Sequence, residues 1–302
     1  MRLKIFLLVV ISFSFQKAFT NDVSTYLLGY RLNGVSNYGL EKEIIQGNSL
    51  EQLIEKLTPF FEDSLVPVRQ KSYYLTYKRA LSADADKKLA VNTLLNGCND
   101  RDGGIVGQNL EFLKNFHAED FDEKSMQRIN SKLINHRIQH YKGFVEVAGF
   151  VSTGKDILYQ KLLDSSVPGN VKWSISLAMA RMGNVEQIRY CLDMIKKQPV
   201  NDAFVDYVLP YLIYMRQKEA IDYCVKVLNN NEKLCHSLNP DISESIICGY
   251  RVLELLAPIV VDLPVSLDSS GFLNTNDFEI LLNNTRKWFD ENPTYQIRKN
   301  NY

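Results

Sequence analysis

Apolar residues recur with a helical period along most of this chain. Val171, Ile175, Ala178 and Met182 stand at i, i+4, i+7 and i+11, one face of a helix, and Gly183-Asn184 supplies the stop that a helix end favours. Ile188, Cys191, Leu192 and Ile195 follow at i, i+3, i+4 and i+7. Ile221, Cys224, Val225 and Leu228 repeat those spacings 33 positions later. The residues themselves recur as well: Ile188-Arg189-Tyr190-Cys191-Leu192 returns as Ile221-Asp222-Tyr223-Cys224-Val225, and Ile157-Leu158-Tyr159 is a weaker copy 31 positions before the first. A helical period near 33 predicts stacked helix pairs, because one pair cannot bury its own apolar stripe.

The same periodicity predicts helices over 50–61, from Val66 to Ala80, over 87–95, 105–116, 125–141 and 144–151. Another is expected over 203–214, with a kink at Pro210. A long helix over 243–256, a Pro-bearing connector over 258–271 and a final helix over 277–289 complete the series. Residues 296–302 read as a polar, frayed tail. The expected organisation is a lead-in over 21–48, a helical-repeat domain over 49–292 and a tail over 293–302. The fold class is all-α, an α-solenoid of stacked antiparallel helix pairs.

Three segments carry a family resemblance. Val68-Arg69 opens one helix, Asp102 with Val106 opens another, and Leu177-Ala178-Met179-Ala180-Arg181-Met182-Gly183-Asn184 closes a third. Together they resemble HEAT repeats, and the resemblance covers most of residues 49–250. Gly107 and Lys172 depart from it, since the repeat favours Arg at those places. The resemblance implies a curved right-handed stack of helix pairs, used mostly for holding other macromolecules. It implies an architecture, not an activity.

The first residues change the picture of where the chain works. Met1-Arg2-Leu3-Lys4 is basic, residues 5–15 are apolar, and Ala18 and Thr20 are small residues spaced for cleavage. That layout predicts a secretory signal peptide over 1–20 and an exported chain, periplasmic or extracellular. The apolar run is shorter than the roughly 20 residues of a membrane span, and no later stretch is long or apolar enough. Of five cysteines, Cys191 and Cys224 lie on apolar stripes and read as core, while Cys235 and Cys248 are the most plausible disulfide. Lys plus Arg equals Asp plus Glu, 35 each, so no basic excess points to nucleic acid or an anionic membrane.

The candidate chemistry is thin. Gly149-Phe150-Val151-Ser152-Thr153-Gly154-Lys155 has P-loop spacing, but Asp156 stands where a Ser or Thr must hold magnesium, and no strand precedes it. His136 and His140 stand at i, i+4, so a helix would aim both at one metal; they are the only support for a metal-dependent hydrolase. The Asp100-Arg101-Asp102-Gly103-Gly104 run lacks the ligands of a calcium loop and reads as a helix cap. The acids from Glu119 to Glu123 read as a helix start. Cys235-His236 are adjacent without a protease context. No catalytic residue and no cofactor are expected.

What remains is aromatic. Among 16 tyrosines, Tyr159, Tyr190 and Tyr223 occupy a repeating position, beside the stripe that carries the buried cysteines. With Trp173 they are the candidate binding residues, for a protein partner or alternatively for a glycan such as peptidoglycan. The competing reading places the same rings in the core, at repeat boundaries.

Overall fold

The computed structural model describes residues 23–237 and 244–302. The expected signal peptide lies outside them, as does the expected first residue of the 243–256 helix. The described residues are mostly helical, and the helices pack against neighbours in sequence order. Among them no helix is long and apolar enough to cross a membrane. The chain divides into two compact units, one of residues up to 131 with 137–143, the other of 132–136 with 144–302.

In the first unit, α1 (Val23–Asn33), α2 (Tyr38–Gly47) and α3 (Leu50–Leu57) pack around α4 (Val66–Ala80). The segment expected as a lead-in is therefore helical, and its Val23, Leu27 and Ile44 share a core with Leu53, Leu57, Val68 and Leu75. Ser49 and Gln52 close a capping box at the start of α3. Next come α5 (Lys87–Gly97) and α6 (Gly103–Leu113), capped by Asp86 and Asp102.

α7 (Glu123–Leu133) ends eight residues before the expected end of the 125–141 helix, and α8 (Tyr141–Phe150) begins where that helix was to finish. The reason is tertiary. His140 takes a left-handed backbone, φ 55°, and its ring lies against Gly107 so closely that a Cβ there would stand 2.9 Å from it. Gly103 likewise leaves room for the Gln139 side chain. Two helical glycines thus accommodate a turn that the apolar period alone does not announce.

The second unit runs from α8 through α9 (Lys155–Leu163), α10 (Gly169–Arg181), α11 (Val185–Ile195), α12 (Asp202–Tyr207), α13 (Leu209–Met215) and α14 (Lys218–Leu228). The 33-residue period is visible as structure: α11 and α14 occupy equivalent positions, and Cys191 and Cys224 are both fully buried. Shifted by the same interval, α10 corresponds to α12 and α13 together. The expected kinked helix is instead two helices meeting at Val208, because Pro210 sits in the first turn of α13, where its missing N–H costs nothing. Gly183 (φ 83°) ends the α10 segment, and its equivalent Arg216 takes the same left-handed backbone (φ 52°).

The helix expected over 243–256 is shorter. Cys235–His236 (β1) pairs antiparallel with Ser245–Ile246 (β2), and α15 (Gly249–Leu256) starts only after Cys248. The Cys235–Cys248 disulfide, S–S 2.08 Å, ties the hairpin to the start of α15 and holds residues 245–246 extended. α16 (Phe278–Glu291), capped by Asp277, packs on α14 and α15. The last residues are not frayed. Ile297 bridges Val260, and the Arg298 amide donates to the Ile259 carbonyl at 2.8 Å.

Candidate functional site

α10 lies between α9, α11 and α13, and this placement assembles an aromatic cluster in the second unit. Trp173 on α10 is half-buried. Its ring meets Tyr190 of α11 edge to face at 6.2 Å and Tyr211 of α13 at 5.7 Å. Such geometry sets the positive edge of one ring against the negative face of another. Trp173 therefore acts as a buried post that orients two tyrosines. Tyr190 keeps 47% of its surface exposed and Tyr211 39%, and Met194, one turn beyond Tyr190 on α11, is exposed too. Rigid aromatic rings held half out of a packed surface, with a methionine beside them, are the composition of a protein-binding hot spot.

The structure separates the other candidates. Tyr159 on α9 is 44% exposed, above the buried Leu158. Tyr223 is the sequence equivalent of Tyr190 but faces inward: it packs edge to face on Phe204 at 6.3 Å and lies beneath Lys196. The repeat places Tyr190 and Tyr223 alike, and their neighbours make one a surface ring and the other a packed one. Tyr211 was not singled out from the sequence. The Tyr207, Tyr211 and Tyr214 spacing was the available signal, since Tyr211 and Tyr207 stand one turn apart.

The histidine pair has no helical register. His136 and His140 both fall in the turn between α7 and α8, and the His140 ring packs on the α6 glycines. Spacing i, i+4 aims two side chains at one metal only on a helix, so the pair offers no preformed site. Among the described residues, no three His, Cys, Asp or Glu stand together as a metal site requires. Gly149, the first residue of the P-loop-like run, is inside α8, where a Cβ would stand 2.8 Å from the Ala178 Cα. It permits close helix packing and cradles no phosphate. Asp102 accepts the Ile105 amide as a cap, and Asp100 grips Arg69 through both carboxylate oxygens at 2.7 and 2.9 Å.

Two further constellations emerge only in three dimensions. Asp202 at the start of α12 receives the His236 amide (2.9 Å), contacts its Nδ1 (2.6 Å), and accepts from Arg251 (2.7 Å). Burial works against the Asp202 carboxylate, but these bonds prevail and hold it below the usual carboxylate range. His236 is thereby oriented with no nucleophile among its named partners, and Cys235, in its disulfide, has no thiol to offer. In the first unit, Phe61, Arg69, Tyr73, Asn96 and Asp100 line an open cleft of about 600 Å³. Its strongest charges, Arg69 and Asp100, already neutralise each other, and burial pushes the Tyr73 phenol up to about 12. The cleft is a polar recess without a free reactive group among those five residues.

Compared with known proteins, the chain matches no family model, no curated protein and no solved structure. The geometry of the second unit therefore carries the functional argument alone.

Proposed function

We propose that this chain is an exported helical-repeat protein of the HEAT type, a scaffold or adaptor that holds another protein against the face formed by Trp173, Tyr190 and Tyr211. The observation that carries the reading is the aromatic cluster: two half-exposed tyrosines fixed edge to face on one tryptophan by three neighbouring helices. Fixed rings lose little conformational entropy on binding, which favours a protein–protein contact. Helices packed in sequence order, with a 33-residue recurrence of α11 in α14, support the repeat architecture. The Cys235–Cys248 disulfide supports export, since such bonds persist in oxidising compartments.

The test places a photo-crosslinking phenylalanine analogue at Tyr190 and, as a control, at Lys88, an exposed site in the first unit. One stoichiometric protein captured from position 190 and not from position 88, and lost in Tyr211→Ala, is the expected result. Identical products from both positions, or unchanged capture in Tyr211→Ala, would refute the assignment. Stabilisation of the isolated chain by members of a glycan panel, with no protein captured, would move the same face to sugar recognition.

A further inference from the structure

Residues 296–302 lie in a groove of the second unit that has the parts of a peptide-binding site. Its first half is a backbone edge. The Val261 amide donates to the Gln296 carbonyl at 3.0 Å, the Arg298 amide donates to the Ile259 carbonyl at 2.8 Å, and Ile297 bridges Val260. Main-chain pairing of this kind accepts many sequences, because every residue but proline carries the same groups.

The second half is a specific terminal pocket. The Tyr302 ring stands 5.6 Å from that of Tyr214 and 5.8 Å from that of Phe150, and its hydroxyl donates to Glu146 at 3.2 Å. Arg181 lies over all three rings, 5.0–5.8 Å from their centres. Two guanidiniums read the backbone: Arg181 donates to the Asn301 carbonyl at 2.8 Å, and Arg216 donates to the Tyr302 carbonyl.

Both arginines are buried, 8% and 4% exposed, and the charged groups bearing on them are each other and the phenols of Tyr214 and Tyr302. Burial, with the Arg181 charge added, pulls the Arg216 guanidinium down to about 9. Cations so placed must keep their carbonyl acceptors or find replacements. Arg216 also holds a left-handed backbone where the equivalent of the preceding repeat is Gly183. A residue with a Cβ is disfavoured there, and what it supplies in exchange is a guanidinium that reaches the tail.

The occupant is shallow where its walls are deep. None of residues 296–302 is buried, whereas Ile259, Val260 and Phe150 are. A half-exposed strap with few apolar anchors belongs to the part of a fold that opens locally, before global unfolding. The groove it leaves retains an unpaired edge, an aromatic pocket and two buried donors.

We propose that this groove is a peptide-binding site occupied in cis by the chain's own tail, and that it takes an extended partner segment carrying an aromatic side chain when the tail lifts. The site is separate from the Trp173 face and does not depend on it. The tethered tail competes at an effective concentration on the order of millimolar, so the closed chain resists outside peptides.

The experiment uses the full chain and a synthetic peptide of residues 295–302 labelled at its N-terminus, read by fluorescence anisotropy. The Tyr302→Ala chain is expected to bind this peptide at least tenfold more tightly than wild type. A peptide with Ala in place of its final Tyr is expected to bind the same variant at least tenfold more weakly. Equal binding by the two chains, or none by a variant that keeps its helical circular dichroism, overturns the proposal. Hydrogen exchange on the wild-type chain decides independently of how the variant folds. The Arg298 and Val261 amides should exchange together and ahead of the α10 amides; exchange as slow as the α10 amides shows a tail that never lifts, and the proposal fails.

Discussion

Truncating the aromatic cluster distinguishes a binding face from a core, and the geometry sets the expected size. Tyr190 touches Trp173 edge to face at 6.2 Å and is nearly half exposed. An aromatic pair of this kind contributes about 0.5–1.5 kcal/mol beyond its buried area. The ring's remaining burial adds about 1 kcal/mol, so Tyr190→Ala should cost about 1.5–2.5 kcal/mol. Trp173→Ala removes both ring contacts and the half-buried post itself, and should cost about 3–4 kcal/mol. The double variant should cost less than the sum by about 0.5–1.5 kcal/mol, since the pair is then removed only once. Urea unfolding followed by far-ultraviolet circular dichroism measures all three values without relying on Trp173 fluorescence. A Tyr190→Ala loss above about 4 kcal/mol would make the ring a core element, and a coupling near zero would show that Trp173 does not hold it. Either result would remove the structural basis for the proposed face.

Asp100→Ala should destabilise the first unit by about 3–5 kcal/mol in urea unfolding, because it strands the Arg69 guanidinium in a buried site, whereas Arg69→Met with Asp100→Leu should recover most of the loss. Burial opposes the Asp100 carboxylate but the Arg69 bond and charge outweigh it, holding its pKa below the ordinary value. Its contribution is therefore complete above about pH 4 and is lost as pH falls through the lower folded value; a urea midpoint that fell instead between pH 6 and 8 would contradict this origin. Gly149→Val should cost more than about 3 kcal/mol or prevent folding, since even a Cβ meets the α10 backbone; a soluble variant with an unchanged melting temperature would refute the close approach of α8 to α10. Cys235→Ser with Cys248→Ser opens a loop of 13-residue separation and should lower stability by about 3 kcal/mol, measured under non-reducing conditions, while reductant should leave the double variant unaffected.

Helix positions and caps were legible from residue order because they depend on neighbours three or four places away. Asp86, Asp102, Asn184 and Asp277 announce helix starts through an oxygen that reaches an amide three residues on, and each does so in the structure. The 33-residue recurrence was legible for the same reason: α11 and α14 bury the same stripe, with Cys191 and Cys224 at its centre. What a stripe faces is a different matter. Period identifies which side of a helix is buried, but long-range packing decides the fate of residues at its border. Tyr190 and Tyr223 border equivalent stripes, yet one meets Trp173 at the surface and the other packs on Phe204. The turn over 134–140 follows from the space beside Gly103 and Gly107, about 30 residues away, and it removes the helical spacing of His136 and His140. The polar tail looked frayed because its side chains carry no apolar period; its anchorage lies in backbone hydrogen bonds to residues 259 and 261 and in two distant arginines. Residue order determined the helices and their repetition, which are local. The exposed rings, the docked tail and the oriented His236 were decided only by tertiary structure, because each depends on partners at least 17 residues away that no periodicity encodes.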